Sequence, residues 1–251
     1  MGNSLMSKKV SIGSWITIGH CAVAEIMADS GFDWLVVDLE HSVITIREAE
    51  ELIRIIELKG VVPLVRLSSN SDVQIKRVMD AGAHGIIVPM VNSIEDAKNA
   101  ITAVKYPPLG SRGVGLARAQ GYGVRFEEYK EWLQNESIII AQIEHIEAVE
   151  NLESILGLEG IDGYIVGPYD LSGSMGIPGK FSSPKFLSVL KKIKQTAQKL
   201  GVPGGVHLIE PDPNELKRSI QDGHQFIAYS LDIRMLDTSC RNGLNQVREN
   251  L

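Results

Sequence analysis

Trp34-Leu-Val-Val-Asp-Leu-Glu-His41 is a short apolar run that ends abruptly in ionisable side chains. Gly31 precedes the run and charge follows it, a pattern that indicates a strand buried on both faces, as in a parallel sheet. Asp38, Glu40 and His41 would then lie at the carboxyl end of this strand. Ligands of α/β proteins bind at that end, so the segment predicts both a fold and the position of a site.

Length and composition favour one domain built around that strand. The 251 residues match the size of one (β/α)8 barrel, whereas two domains would each be small, so we expect residues 1–251 to form a single TIM-barrel domain. A hydrophobic content of 44% and a charged content of 22% are ordinary for a globular protein. The net charge of −6, with scattered basic residues, argues against a nucleic-acid partner or an anionic membrane surface. A small-molecule partner is therefore expected.

Cysteine usage and the N-terminal segment bear on the cellular compartment. Cys21 and Cys240 are too few for a disulfide framework or a thiolate zinc site. The N-terminal segment lacks the apolar core of a signal peptide and has Met6 where a myristoylation signal requires Ser or Thr. No apolar run approaches the length of a membrane span. These features predict a cytoplasmic protein.

Apolar runs alternate with amphipathic segments along the whole chain. The predicted strands are Val10–Ile16, Trp34–Asp38, Val61–Arg66, Gly85–Val88, Ser137–Ile143, Gly163–Val166, Gly204–His207 and Phe226–Tyr229. The predicted helices are Ala22–Asp29, Arg47–Leu58, Asp72–Asp80, Ile94–Val104, one that ends near Leu133, Ala148–Leu156, Pro184–Leu200, Pro213–Gln221 and Asp232–Leu251. A polar, glycine-rich insertion from Tyr106 to about Tyr122 follows the fourth helix.

A weak internal repeat supports eight strands. Four segments, which begin at Gly31, Gly82, Gly160 and Gly223, each place a glycine just past a helix, then a short turn and a buried strand. A doubly wound open sheet would show similar repeats. Eight strand–helix units in this length favour closure into a (β/α)8 TIM barrel instead.

Polar or chemically useful residues cluster where the predicted strands end. Because the carboxyl ends of barrel strands share one mouth, these residues are expected to face each other there. In chain order they are Trp15, Asp38 with Glu40 and His41, Arg66, Met90, Gln142 with Glu144, Asp170, His207 and Ser230.

Glu144 and Asp170 are the candidate metal ligands. They follow adjacent strands, so their oxygens can reach one point and leave the other positions of a hard cation such as Mg2+ or Mn2+ to water and substrate. The alternative is that both are solvated loop acids, or that one of them pairs with Arg66.

Arg66 ends an apolar strand, where a lone charge is costly unless it faces a ligand or a carboxylate. It is therefore either part of the site or one member of a structural salt bridge. His41 lies three residues after Asp38, and the pair could act as a general base whose imidazole is oriented by a carboxylate. A surface histidine without a catalytic role is the plain alternative.

Two glycine-rich segments lead to different predictions about ligand binding. Gly167-Pro-Tyr-Asp-Leu-Ser-Gly-Ser-Met-Gly176 predicts a turn whose backbone amides, beginning with those around Gly167, Pro168 and Tyr169, could bind a substrate carboxylate, although a flexible loop is also possible. Pro107-Pro-Leu-Gly-Ser-Arg-Gly-Val-Gly115 lacks the Gly-Lys-Ser/Thr ending of a phosphate loop, which argues against a nucleotide site.

Five motifs, in order, resemble the HpcH/HpaI family of pyruvate aldolases related to 4-hydroxy-2-oxoheptanedioate aldolase. They are Val37-Asp-Leu-Glu-His41, Pro63-Leu-Val-Arg66, Tyr106-Pro-Pro-Leu-Gly-Ser-Arg-Gly-Val-Gly115, Gln142-Ile-Glu144 and Val166-Gly-Pro-Tyr-Asp-Leu-Ser172. The resemblance runs from about Ile12 to Leu236. It implies a metal-dependent TIM barrel that cleaves 4-hydroxy-2-oxo acids into pyruvate and an aldehyde with Mg2+, Mn2+ or Co2+.

The resemblance also implies residue roles and an assembly. Glu144 and Asp170 match the metal ligands, Arg66 the pyruvate-binding arginine, and His41 with Asp38 the catalytic pair. Two further positions match the substrate pocket, namely Trp15 and Gln142. The eighth helix would be exchanged between partners in a homohexamer.

The residues themselves agree with a metal-dependent aldolase. Cleavage next to a hydroxyl needs a base for its proton and a sink for the enolate left behind, supplied by a metal or by a lysine Schiff base. No lysine follows a predicted strand, which favours the metal. The alternatives are a citrate-lyase β-like lyase that acts on acyl-CoA, and a non-catalytic barrel that binds a partner.

Overall fold

The computed structural model describes residues 5–7 and 9–248, and its described strands close into one parallel barrel in chain order, which confirms the predicted TIM-barrel fold. The strands are β1 (Ser11–Ile16), β2 (Trp34–Asp38), β3 (Val62–Arg66), β4 (Gly85–Val88), β5 (Ile138–Ile143), β6 (Gly163–Val166), β7 (Gly204–Leu208) and β8 (Phe226–Leu231). The helices are α1 (Cys21–Ala28), α2 (Ile46–Leu58), α3 (Asp72–Asp80), α4 (Ile94–Val104), α5 (Phe126–Asn135), α6 (Ile146–Glu150), α7 (Leu152–Leu156), α8 (Pro168–Ser174), α9 (Pro184–Leu200), α10 (Pro213–Gln221) and α11 (Asp232–Arg248).

Strand β2 shows how alternation sorts its side chains between two cores. Trp34 and Val36 belong to a cluster inside the barrel, whereas Leu35 and Val37 pack in the larger cluster between barrel and helices. Since successive side chains of a strand point to opposite faces, Asp38 continues the inward series and emerges at the mouth. The apolar run thus fills both cores and ends in a functional side chain.

The barrel interior is packed around Trp34. Its indole stacks on Phe226 with ring centroids 4.0 Å apart and an interplanar angle of 9°. Gly13 is paired with Trp34 across β1 and β2, and a Cβ on Gly13 would lie 2.0 Å from the indole. Any larger residue at position 13 would therefore collide with the ring.

The repeat identified in the sequence corresponds to the turns that lead into alternate strands. Its four glycines all have positive φ, between 83° and 104°, which glycine adopts without steric cost. In two of the turns an aspartate bonds the start of the preceding strand: Asp33 accepts from the Ile12 N–H, and Asp162 accepts from the Ile139 N–H, both at 2.8 Å. These bonds tie neighbouring strands together at the end opposite the mouth.

Capping explains why helices α2 and α4 begin where they do. Thr45 and Glu48 form a reciprocal capping box at the start of α2, and Ser93 and Asp96 form another at the start of α4. Each box satisfies backbone N–H groups that the first turn leaves unpaired.

Two local predictions were wrong. The helix predicted over Ala148–Leu156 is broken at Asn151 into α6 and α7. Elsewhere the structure adds detail, since the insertion Tyr106–Tyr122 contains a short 3-10 helix, Arg118–Gln120, and the helix expected to end near Leu133 ends at Asn135. The small-residue segment from Gly167 to Gly176 is not a turn or a loop throughout but forms α8, because Pro168 begins the helix and Leu171 anchors it in the core.

None of the helices that the structure describes is long and apolar enough to span a membrane. The last helix, α11, buries only Asp232 among its described residues. Leu251, at which the predicted last helix ends, lies outside the described residues.

Candidate active site

A cavity of about 320 Å³ opens at the carboxyl ends of the strands. Its wall brings together most of the polar residues that the sequence placed at strand ends. The lining residues that belong to the predicted site are Trp15, Asp38, His41, Arg66, Gln142, Gly167, Pro168, Tyr169 and Asp170. Residues from distant parts of the sequence thus meet at one mouth, as the barrel topology requires.

Arg66 is held by carboxylates on the neighbouring strand. Its Nε lies 2.9 Å from Asp38 Oδ1 and its terminal Nη2 lies 2.6 Å from Asp38 Oδ2, so the pair is bidentate. The other terminal nitrogen lies 3.3 Å from Glu40 Oε2, and the guanidinium carbon lies 4.4 Å from the centre of the Trp15 ring. The planar guanidinium therefore has one fixed orientation at the edge of the cavity.

The expected pairing of Asp38 with the His41 imidazole is not present. The Asp38 carboxylate bonds Arg66 and accepts from the backbone N–H groups of Glu40 and His41, at 3.0 and 3.3 Å. The carboxylate near the imidazole is Glu40, whose Oε2 lies 3.9 Å from His41 Nε2. The spacing within residues 38–41 did not reveal this partner. Asp38 and Arg66 are directly paired in the β2–β3 register, and a guanidinium forms a bidentate pair with a carboxylate.

Glu144 lies just past β5 and is almost fully buried, with 3% of its surface exposed. One carboxylate oxygen accepts from the Met90 N–H at 2.7 Å, and the other accepts from the Gln142 side-chain amide. Burial raises the pKa of Glu144, and the nearby Asp170 carboxylate raises it further, while these hydrogen bonds lower it. The positive charge of Arg66 also lowers it, but the net effect is a raised pKa because burial is the largest of these causes.

The two predicted metal ligands fit a hard divalent cation. Asp170 lies in the first turn of α8, follows β6 and lines the cavity, near enough to Glu144 to perturb its ionisation. Within the described residues no group of three or more His, Cys, Asp or Glu side chains could hold a metal. A donor set of two carboxylates, with water and substrate completing the coordination, is one that Mg2+ accepts.

Gly167 allows α8 to approach Glu144. A Cβ at position 167 would lie 2.8 Å from both the Cβ and Oε2 of Glu144, closer than real Cβ contacts. Gln142 contributes a second feature, because its Oε1 is buried and has no hydrogen-bond partner in the described part of the chain. An unsatisfied acceptor beside two carboxylates is a group that a bound cation or an ordered water could satisfy.

The structure adds two residues that we listed at strand ends but did not assign to the site. Glu40 lies between Arg66 and His41, and burial raises its pKa while Arg66 lowers it. His207 lines the cavity from β7 with its ring centroid 5.1 Å from that of Trp15. Both were visible in the sequence as strand-end residues, but nothing in the spacing indicated which partners they would meet.

Comparison with known proteins agrees with this geometry. The profile of the family described as HpcH/HpaI aldolase/citrate lyase matches residues 11–238. The chain belongs to this family. It is a carbon–carbon lyase of the HpcH/HpaI aldolase class.

Relatives of known activity cover nearly the whole HpcH/HpaI chain. The hydroxypyruvate/pyruvate aldolase of Sagittula stellata is 37% identical over 94% of this chain and 92% of its own length. The 4-hydroxy-2-oxo-heptane-1,7-dioate aldolase of Salmonella paratyphi C is 35% identical over 93% of this chain and 89% of its own. The crystal structure of an HpcH/HpaI aldolase/citrate lyase family protein from Burkholderia cenocepacia J2315 superimposes with a TM-score of 0.92, at 28% identity over 98% of both chains.

Proposed function

We propose that this protein cleaves a 4-hydroxy-2-oxo acid into pyruvate and an aldehyde, catalyses the reverse aldol addition, and uses a divalent cation held by Glu144 and Asp170. The balance of charge at the mouth supports the metal dependence. In the described part of the chain, one guanidinium, that of Arg66, shares the mouth with the carboxylates of Asp38, Glu40, Glu144 and Asp170. An anionic oxo acid would be repelled from such a site unless a cation were also bound.

The cation would be Mg2+, Mn2+ or Co2+, and when bound it would supply Lewis-acid polarisation of the 2-oxo group. The protein itself would supply charge stabilisation and enclosure of the substrate. Arg66, anchored by Asp38 and Glu40 and packed against Trp15, would hold its positive charge where the enolate oxygen develops. The cavity wall formed by Gly167, Pro168 and Tyr169 would enclose the pyruvate half of the substrate.

His41 is the proposed base for the proton of the 4-hydroxyl. Its side chain is 68% exposed and lines the cavity, so it can reach a substrate at the entrance directly or through water. Glu40 is the carboxylate nearest the imidazole and would stabilise the charge that His41 acquires when it takes the proton. The role assigned to Asp38 is then to position Arg66.

The Schiff-base and acyl-CoA alternatives are less well supported. No lysine lines the cavity as far as the structure describes the chain, so an amine that could form a Schiff base with the substrate is absent from its wall. Arg66 is also the only Lys or Arg in that lining, whereas the phosphates of CoA favour a cluster of basic residues. Incubation with citramalyl-CoA or malyl-CoA, expected to give no cleavage, tests the second alternative.

The decisive experiment is a pyruvate-release screen over 4-hydroxy-2-oxo acids of varying tail, with and without chelator. We expect release that chelator abolishes and that Mg2+, Mn2+ or Co2+ restores. Glu144→Gln and Asp170→Asn should lose this activity, whereas Glu147→Gln, an exposed neighbour 3.9 Å from His145, should keep it. Full activity in excess chelator, with borohydride trapping of a pyruvate adduct, would replace the metal with a Schiff base.

We also propose a cytoplasmic homo-oligomer. Both cysteines are free, as suits a reducing compartment. Helix α11 leaves Ile233 49%, Leu236 58% and Val247 60% exposed, so its own barrel does not cover this apolar face. Burial against a second copy would remove the exposed patch, in agreement with the exchanged helix and the hexamer expected from the family resemblance.

A further inference from the structure

His207 presents one hydrogen-bonding atom to the cavity from the end of β7. Its Nε2 lies 3.2 Å from the backbone oxygen of Ser230. Because a carbonyl oxygen can only accept, Nε2 must be the nitrogen that carries the proton. The tautomer of the ring is therefore set by the barrel backbone.

The other ring nitrogen is a bare acceptor. Burial lowers the pKa of His207 to about 4, and the positive charge of Arg66 lowers it as well, so the ring is neutral at physiological pH. Nδ1 then carries no proton. Within the described chain it has no hydrogen-bond partner, yet it is not among the fully buried unpaired atoms, so it keeps access to the cavity that His207 lines.

Apolar side chains line much of the cavity that His207 faces. They are Trp15, whose ring lies beside that of His207, and Ile209, Leu231 and Ile233. A substrate group beside His207 would contact these apolar side chains and the acceptor Nδ1. A carboxylate has no proton to donate, so the group that fits is a hydrogen-bond donor, and on an oxo acid or an aldehyde that donor is a hydroxyl.

We propose that His207 determines substrate specificity by accepting, at Nδ1, a hydrogen bond from a hydroxyl group other than the reacting one. The hydroxyl is carried either by C3 of the oxo-acid donor or by the aldehyde chain next to its carbonyl. This inference rests on the proposed aldolase function and narrows its substrates to hydroxylated ones. His207 would contact substrate without taking part in proton transfer.

The test compares kcat/KM in two matched pairs of aldol additions. Hydroxypyruvate is compared with pyruvate against one aldehyde, and glycolaldehyde is compared with acetaldehyde against pyruvate. The pair whose ratio responds to His207 identifies which partner carries the hydroxyl. Loss of one neutral hydrogen bond changes such a ratio by about 10-fold.

Two variants separate the acceptor from the shape of the ring. His207→Gln can place an amide donor near Ser230 but offers no acceptor at the position of Nδ1, so the hydroxyl preference should fall by about 10-fold. His207→Asn can place its amide oxygen where Nδ1 lies, so its preference should stay close to that of the wild type. His224→Gln changes a histidine that precedes β8, at the end opposite the mouth, and serves as the control.

A second measurement does not depend on how the variants fold. The 15N NMR signal of His207 Nδ1 in the wild-type enzyme should move when the hydroxylated partner is added and stay in place with its deoxy analogue. An unchanged ratio in folded His207→Gln, or an equal fall in both His207 variants, would overturn the proposal. Wild-type enzyme that adds pyruvate to no aldehyde at all would refute the proposed function itself.

Discussion

Gly167→Ala is predicted to weaken divalent metal binding by about 10- to 100-fold while the protein stays folded. Gly167 follows β6 and packs against Glu144, where a new Cβ would lie 2.8 Å from the carboxylate oxygen Oε2. The φ of Gly167 is −91°, a value open to every L-residue, so backbone strain makes no contribution. The overlap of the methyl group is confined to two atoms of Glu144, a proposed metal ligand, because the third neighbour, Gln142 Nε2, lies at an ordinary 3.5 Å.

The size of the effect follows from the overlap. Ordinary van der Waals contact begins at 3.4 Å, so Cβ and Oε2 of Glu144 must both retreat by several tenths of an ångström. Metal–ligand distances tolerate only about 0.2 Å, and disturbing the groups that orient a ligand costs about 10- to 100-fold in affinity. Overpacking costs about 1–3 kcal/mol of stability, which for a domain of this size lowers Tm by about 2–12 °C.

Calorimetric titration measures the affinity of each variant for Mn2+, and a thermal melt without metal measures its stability. Gly173→Ala is the matched control, since Gly173 lies in the same helix α8 and a Cβ there would meet nothing within 4 Å. It should bind Mn2+ like the wild type and be up to about 1 kcal/mol more stable. Wild-type Mn2+ affinity in folded Gly167→Ala would show that the Glu144 carboxylate does not ligate the metal from this position.

Three further outcomes are expected. Arg66→Ala should abolish the exchange of pyruvate methyl protons with heavy water, which NMR follows. His41→Ala should slow aldol cleavage by about 10²- to 10⁴-fold and leave that exchange intact. Equal loss of exchange in both variants would contradict the separate roles assigned to Arg66 and His41. Burial raises the pKa of Asp162 to about 6, above its unfolded value, so wild-type stability is retained at low pH and falls as pH rises through about 6. Asp162→Asn should therefore raise Tm at about pH 8 but not below about pH 4, and a calorimetric difference independent of pH would refute this cause. Light scattering at micromolar concentration should give a homo-oligomer, expected to be a hexamer, that Leu236→Glu dissociates; a wild-type monomer would contradict the exchange of α11.

Much of the fold was predictable because buried parallel strands and capped helices have strong local signatures. The bounds of β2, β4 and β6 were predicted correctly, since each is an apolar run preceded by a glycine turn. The same holds for α9, which has Pro184 in its first turn and Gly201 at its end. Helix α8 was missed because its glycine and serines are weak helix formers, and only the packing of Leu171 reveals it.

The partners of the site residues were less predictable than their positions. Asp38, Arg66 and His41 do lie at one mouth, but the register that sets Asp38 opposite Arg66 is a long-range property of the sheet. No spacing rule within residues 38–41 encodes it. For the same reason the sequence could not show that Glu40 would lie near His41, or that His207 would bond Ser230.

Backbone strain at two strand ends links the fold to the chemistry. Met90 after β4 and Ser230 at the end of β8 have φ of 53° and 56°, a left-handed conformation that costs a non-glycine residue about 1–2 kcal/mol. In that conformation Met90 directs its N–H at Glu144, and Ser230 directs its carbonyl at His207. The strained residues therefore orient the proposed metal ligand from one side of the barrel and the proposed hydroxyl acceptor from the other. Since strain persists only where the surrounding structure imposes it, these two bonds are better explained by the needs of the site than by the stability of the barrel.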